Sequence, residues 1–139
     1  MKIDGRAYRS IWRDPGQSAI HIFDQTRFPH EFGVLALATS AAVADAIRTM
    51  KTRGAPLIGA CGAYGLALAV SADPSDESIA RNFDILHATR PTAINLRWAL
   101  DRVRESVTSL EPELRGAAAF RVADGICDED VDINAAIGR

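Results

Sequence analysis

From Gly54 to Ala72 the chain runs nineteen residues without a formal charge, "GAPLIGACGAYGLALAVSA". A helix of this composition has no polar side to turn toward water, so it has to be enclosed by protein or by lipid. About twenty residues would span a bilayer. Pro56, glycines at 59, 62 and 65 and Ser71 interrupt the run, however, and its flanks carry no aromatic belt, so the reading is a buried helix. Proline is preferred at the first helical position, which starts the helix at Pro56 and carries it to about Val70.

A wholly apolar helix requires neighbours, and the rest of the chain supplies them. Val43, Ile47 and Met50 recur at helical spacing behind a Thr39 or Ser40 cap, with Arg48, Lys51 and Arg53 as the last turn and Gly54 as the exit. "ADPSDES" is a breaker, and residues 77 to 88 form a shorter helix. From Pro91, the positions Ala93, Leu96, Leu100, Val103, Val107 and Leu110 alternate steps of three and four. A last helix occupies 113 to 137, weakened by Gly116 and Gly125. Upstream, "AYRSIW", the turn "DPGQ" and "SAIHIF" make a hairpin, with Pro15 and Gly16 at the central turn positions, and "EFGVLALAT" is a third strand. The expected fold is α+β: a small N-terminal antiparallel sheet (about 7–39), then a bundle of about five helices (about 40–137), in one domain over residues 1–139.

Charge narrows the partners. Sixteen Lys and Arg against eighteen Asp and Glu give a net charge of −2, with no basic block, so neither nucleic acid nor a membrane surface is expected. Cys61 and Cys127 lie far apart in no metal-binding spacing, and the N-terminus has no apolar leader, which suggests a cytoplasmic protein. "DEDVDIN" has alternating aspartates but fails as a calcium loop, with Ile133 at the glycine position and Arg139 at the bidentate glutamate position. It reads as a solvated acidic helix start, and no metal or other cofactor is expected.

Two arginines stand just before helix-opening prolines. "RGAP" offers Arg53 and the amides of Gly54 and Ala55 ahead of Pro56, and "TRPT" offers Arg90, Pro91 and the Thr92 hydroxyl. The first amides of a helix lack intrahelical partners and lie at its positive end, and a guanidinium adds a planar two-toothed donor, so both places suit phosphate. Each arginine has a plainer reading beside this one. Arg53 can cap the preceding helix, and Arg90 can lie exposed or pair with Asp101 or Glu105. The glycines at 59, 62 and 65 are not a dinucleotide fingerprint and point to close helix packing. Cys61 reads as a buried hydrophobe and His21, His30 and His87 as structural, and no catalytic set is evident.

Four motifs in order, "DQTRFP" (24–29), "MKTRGAPLIG" (50–59), "AYGLALA" (63–69) and "TRPTAINLRWALDR" (89–102), resemble the N-terminal portion of the methylthioribose-1-phosphate isomerase family. The wider group contains ribose-1,5-bisphosphate isomerases and regulatory subunits of a translation-initiation exchange factor. The resemblance implies an aldose–ketose isomerase of methionine salvage, without cofactor, homodimeric when full-length. It places Arg53, Gly54, Ala55 and Arg90 in the sugar-phosphate site and assigns the chemistry to a second, Rossmann-like domain beyond this sequence. It gives Cys61 no catalytic role. On that basis the 139-residue chain alone is expected to be inactive. The alternatives are a bisphosphate-isomerase fragment or a non-catalytic module that senses sugar phosphate, nucleotide or a partner protein.

Overall fold

In the computed structural model, which describes residues 2–3, 6–7, 10–14, 17–27, 30–31, 33–52 and 54–137, the uncharged stretch is the axis of the fold. Helix α2 (Ala55–Ala72) is buried at every residue from Ile58 to Val70. It is long and apolar enough to cross a membrane, yet 72% of it lies inside the protein. Around it pack α1 (Ser40–Arg48), α3 (Asp76–Thr89), α4 (Ile94–Val107) and α5 (Pro112–Ile137). The α+β expectation holds, with a three-stranded antiparallel sheet ahead of five helices among the described residues.

Strands β1 (Lys2–Ile3) and β2 (Arg6–Ala7) form a short antiparallel pair, which begins before the expected strand region. Strands β3 (Ile11–Arg13), β4 (Ile20–Phe23) and β5 (Val34–Leu37) make the main sheet, with Ile11 opposite Ile22 and Ile20 opposite Leu37. Strand period two puts these four residues on one face, and all four are buried in the core. Gln17 N–H donates to the Asp14 carbonyl at 3.0 Å, closing the expected turn, whose Pro15 and Gly16 lie outside the described residues. Arg13 pairs with Asp124, which also accepts from the Tyr64 hydroxyl at 2.6 Å, tying β3 to α5 and α2.

Close approaches give the helix directions. A Cβ on Gly59 would meet the Asn95 carbonyl oxygen at 3.0 Å, and one on Gly62 would lie 2.3 Å from Leu96 Cδ1 and 3.8 Å from Leu100 Cδ2. Residue numbers rise together, so α2 and α4 run side by side in the same sense. Gly116 faces Ser71 while Asp124 faces Tyr64, so α5 runs against α2. Gly65 is wedged between Val43 of α1 and Leu86 of α3. The start of α1 shares a cleft with Leu68, Ala69 and Ala72, so α1 also opposes α2. One end of the bundle therefore gathers the N-termini of α2 and α4. The other is fastened by the buried Arg115 guanidinium, which donates to Leu110, Thr108 and Pro74 carbonyls and to Asp76 at 2.7 to 3.1 Å.

Three boundaries differ from expectation. Helix α1 ends at Arg48, not beside Gly54. Met50 N–H bonds the Ile47 carbonyl and Lys51 N–H the Ala46 carbonyl, a Schellman exit with Met50 at φ 63° where glycine is usual. Gly54, at φ 96°, instead precedes α2, and Pro56 falls at the second helical position. Pro91 does not open α4. Ala93 N–H bonds the Arg90 carbonyl at 3.0 Å, closing a turn in which proline's fixed φ suits the second position, and the helix starts at Ile94. The acidic "DEDVDIN" stretch lies in the later half of α5, not at a helix start.

The same substitution is expected to act with opposite signs in two helices. Gly65→Ala drives a methyl to within 2.8 Å of Val43 Cγ1, and Val43 has essentially one rotamer in a helix. Overpacking then outweighs the helix-propensity gain, a net loss of about 1–2 kcal/mol. A Cβ on Gly125 meets nothing within 4 Å, so Gly125→Ala gains roughly 0.5–1 kcal/mol. Met50→Gly, at an exposed position, relieves the left-handed strain and gains about 0.5–1 kcal/mol. Urea denaturation of the three variants measures each value.

Candidate functional site

At the end of the bundle that gathers the N-termini of α2 and α4, neither helix has a side-chain cap. Helices α1 and α3 are closed by side chains: Thr39 Oγ1 accepts from Ala42 N–H and the Ser75 hydroxyl from Ser78 N–H. Neither Gly54, ahead of α2, nor Ala93, ahead of α4, supplies a side-chain cap. Glycine and alanine have no oxygen to offer. Among the described residues no side chain fills the first amides of either helix, and two positive dipole ends lie side by side, an arrangement open to solvent or to an anion.

Of the residues expected to bind, Gly54 is the N-cap of α2 and Ala55 its first residue, both exposed. A Cβ on Gly54 would meet nothing within 4 Å, so the approach to these amides is open, and the backbone there has the positive φ that favours glycine. Arg53 lies outside the described residues. Arg90 caps the C-terminus of α3 and is half-buried, with no ion pair among the described residues. Asp101, one of its alternative partners, is held instead by Arg97 at 3.2 Å and Arg104 at 3.0 Å. The close approach of Gly59 to Asn95 brings the segments that follow Gly54 and Arg90 together.

A cleft of about 400 Å³ adjoins this end, lined by His87, Pro91, Thr92, Ala93, Ile94, Arg97, Trp98 and Asp101. It borders the first turn of α4 on the side away from α2. Ile94 and Trp98 are exposed there, and sequence reading assigned neither a role because the helical stripe marked only inward positions.

The second neighbour missed from sequence is the turn at Asp24, in a motif quoted only for its resemblance. Asp24 is buried, accepts from Thr26 N–H at 3.0 Å and the Thr26 hydroxyl at 2.5 Å, and lies 3.5 Å from Arg27. The Thr26 hydroxyl bond, with its backbone bond and the charges of Arg27 and Lys51, holds the carboxyl below the usual range against the opposing effect of burial. An Asp two residues before a hydroxyl is the local signal that was available. Gln25 N–H donates to the Lys51 carbonyl at 2.9 Å, joining this turn to the loop before α2, where Thr52 is fully buried.

Cys61 is enclosed, and burial pushes its thiol up to about 12. A thiol so placed stays protonated at neutral pH and is a poor nucleophile, in keeping with a packing role. Burial, then the bond to Asp124, raises the Tyr64 phenol as well. His21 stacks on Trp12 in the sheet.

Residues 35–139 match the model of the initiation factor 2 subunit family. The chain is 54% identical over its full length to the methylthioribose-1-phosphate isomerase of Gluconobacter oxydans (strain 621H), covering 38% of that protein. It is 53% identical over 99% of its length to that of Cereibacter sphaeroides, covering 37%. Among solved structures, 5-methylthioribose 1-phosphate isomerase from Pyrococcus horikoshii OT3 superposes with a TM-score of 0.81 at 31% identity, over 91% of this chain and 37% of that one. Translation initiation factor eIF-2B, subunit delta, from A. fulgidus gives 0.77 at 32%, over 90% and 38%. The chain thus spans well under half the length of the relatives it matches. With its family match and its close relatives in agreement, this chain belongs to the initiation factor 2 subunit family.

Proposed function

We propose that this chain is the substrate-binding N-terminal unit of a methylthioribose-1-phosphate isomerase, the enzyme that interconverts an aldose 1-phosphate and its ketose in methionine salvage. The observation that carries the reading is the pair of uncapped N-termini of α2 and α4 at one end of the bundle, beside an arginine that has no carboxylate partner among the described residues. In this reading the phosphate rests on the amides of Gly54 and Ala55, and Arg53 and Arg90 close over it. Positioning of this kind is a large share of catalysis, because a misplaced substrate loses rate steeply.

The chain alone holds substrate and does not turn it over. Its buried Cys61 is no nucleophile, and the chemistry belongs to residues outside this sequence. A cytoplasmic location and a homodimer in the full-length setting complete the proposal. The isomerase reading is preferred over a nucleotide-sensing module because relatives 53 and 54% identical over nearly the whole chain are named methylthioribose-1-phosphate isomerases.

Calorimetric titration tests it. Methylthioribose 1-phosphate is expected to bind more tightly than nucleoside monophosphates. Arg53→Ala and Arg90→Ala are each expected to weaken binding by about tenfold or more, the weight of a lost charge-assisted hydrogen bond. Unchanged affinity in both variants, or preference for a nucleotide, refutes the seat, and ketose formation by the chain alone refutes its inactivity.

A further inference from the structure

Residues 50–52, ahead of α2, are held from two sides, and only one of them belongs to α1. On that side the Met50 and Lys51 amides bond back to the Ile47 and Ala46 carbonyls. On the other, the Lys51 carbonyl accepts from Gln25 N–H at 2.9 Å. Thr52 is fully buried, and its hydroxyl has no partner among the described residues. Two residues later the backbone surfaces at Gly54 with φ 96°. A backbone that is fully buried at Thr52 and exposed at Gly54 needs its last buried point fixed, or the amides beyond it wander.

We propose that the turn at Asp24–Arg27 is the positioning element of the anion seat, Asp24 fixing the turn and Gln25 N–H fixing the loop whose outer end presents Gly54 and Ala55. The inference rests on the sugar-phosphate reading above and adds to it residues that do not touch the ligand. Asp24 accepts both donors of Thr26 and is approached by Arg27, while its own N–H bonds the Gly33 carbonyl at 2.8 Å, so the turn is tied to the sheet edge. With the carboxylate as its hub, the turn aims the Gln25 amide at Lys51. Asp24 and Gln25 are positioning residues: they act on the phosphate only through Lys51 and the residues that follow it.

The test is a ¹H–¹⁵N NMR titration of the chain with inorganic phosphate. In the parent chain, phosphate is expected to shift the Gly54 and Ala55 amides. Gln25→Pro deletes the N–H at a position where proline's φ is tolerated, the first residue of a helical turn. It is expected to displace the free Gly54 and Ala55 resonances and to weaken phosphate binding by about tenfold. The Leu66 and Ala67 signals, in the middle of α2, stay in place, which a general loosening of the fold would not allow. Gln25→Ala keeps the N–H and is expected to bind much more like the parent. Asp24→Asn, which can still accept from Thr26 N–H, is expected to recover binding that Asp24→Ala loses. Thr26→Ala, at an exposed position, gives a milder loss of the same kind and serves if Gln25→Pro does not fold. Parent-like phosphate binding in Gln25→Pro, or in Thr26→Ala where that variant serves, overturns this inference and leaves the seat standing. If phosphate does not shift Gly54 or Ala55 in the parent chain, both readings fall together.

Discussion

The distance between α2 and its neighbours is the constraint from which the rest of the structure follows. Glycines at 59, 62 and 65 recur every three residues, so they wind slowly around the helix rather than forming one narrow seam. Gly59 and Gly62 meet α4, and Gly65 meets α1 and α3. An axis that touches three helices through missing side chains brings their backbones into near contact. Gly59 against the Asn95 carbonyl is such a backbone approach, and it lies one turn inside α2 and at the second residue of α4. The packing that makes the core dense therefore also brings two positive helix ends together.

The two ends of the bundle are built by different means. At the far end Arg115 is almost wholly enclosed and makes four hydrogen bonds, to three carbonyls and Asp76, so the α2–α3 and α4–α5 connections are locked to each other. A buried cation engaged in this way has little left for a ligand. At the near end the connections are held by backbone bonds between loops, at Gln25–Lys51 and Arg90–Ala93, and the helix amides are left unfilled. The buried ion network thus lies at one end of the bundle and the uncapped helix amides at the other.

How much of this was legible depended on whether the determining contacts were local. The enclosed axis was readable because nineteen uncharged residues leave little alternative, and the α4 stripe because its apolar spacing survives in any context. The hairpin was readable from its turn chemistry. The exit of α1 was misjudged because Gly54 looked like the stop, whereas a non-glycine residue, Met50, takes the left-handed position and the glycine serves the next helix. Pro91 misled in the same way, since a proline suits the first turn of a helix and the second position of a β-turn equally well. The candidate binding residues could be picked from helix-end chemistry, but the turn at Asp24 could not. Its link to Lys51 spans twenty-six residues through backbone atoms that carry no residue signature.

Arg90 poses an electrostatic question, because two positive helix ends are a poor place for a cation that has no ion pair among the described residues. Its neighbours are already engaged: Arg97 and Arg104 share Asp101, Arg102 holds Glu129, and Arg104 also lies 3.9 Å over the Phe83 ring. No carboxylate of this group remains for Arg90. What steadies it is its place at the C-cap of α3, where the carbonyl end of a fourteen-residue helix carries negative partial charge. Ser78 and Asn82 share a cleft with Leu68, Ala69 and Ala72 while Leu86 meets Gly65, so α3 runs against α2 and its C-terminal end lies beside the open mouths of α2 and α4. A fixed backbone dipole holds the arginine there without neutralising it as a carboxylate would, so its full charge stays available to an incoming anion. A side-chain partner would have to be displaced first, at the cost of a charge-assisted bond.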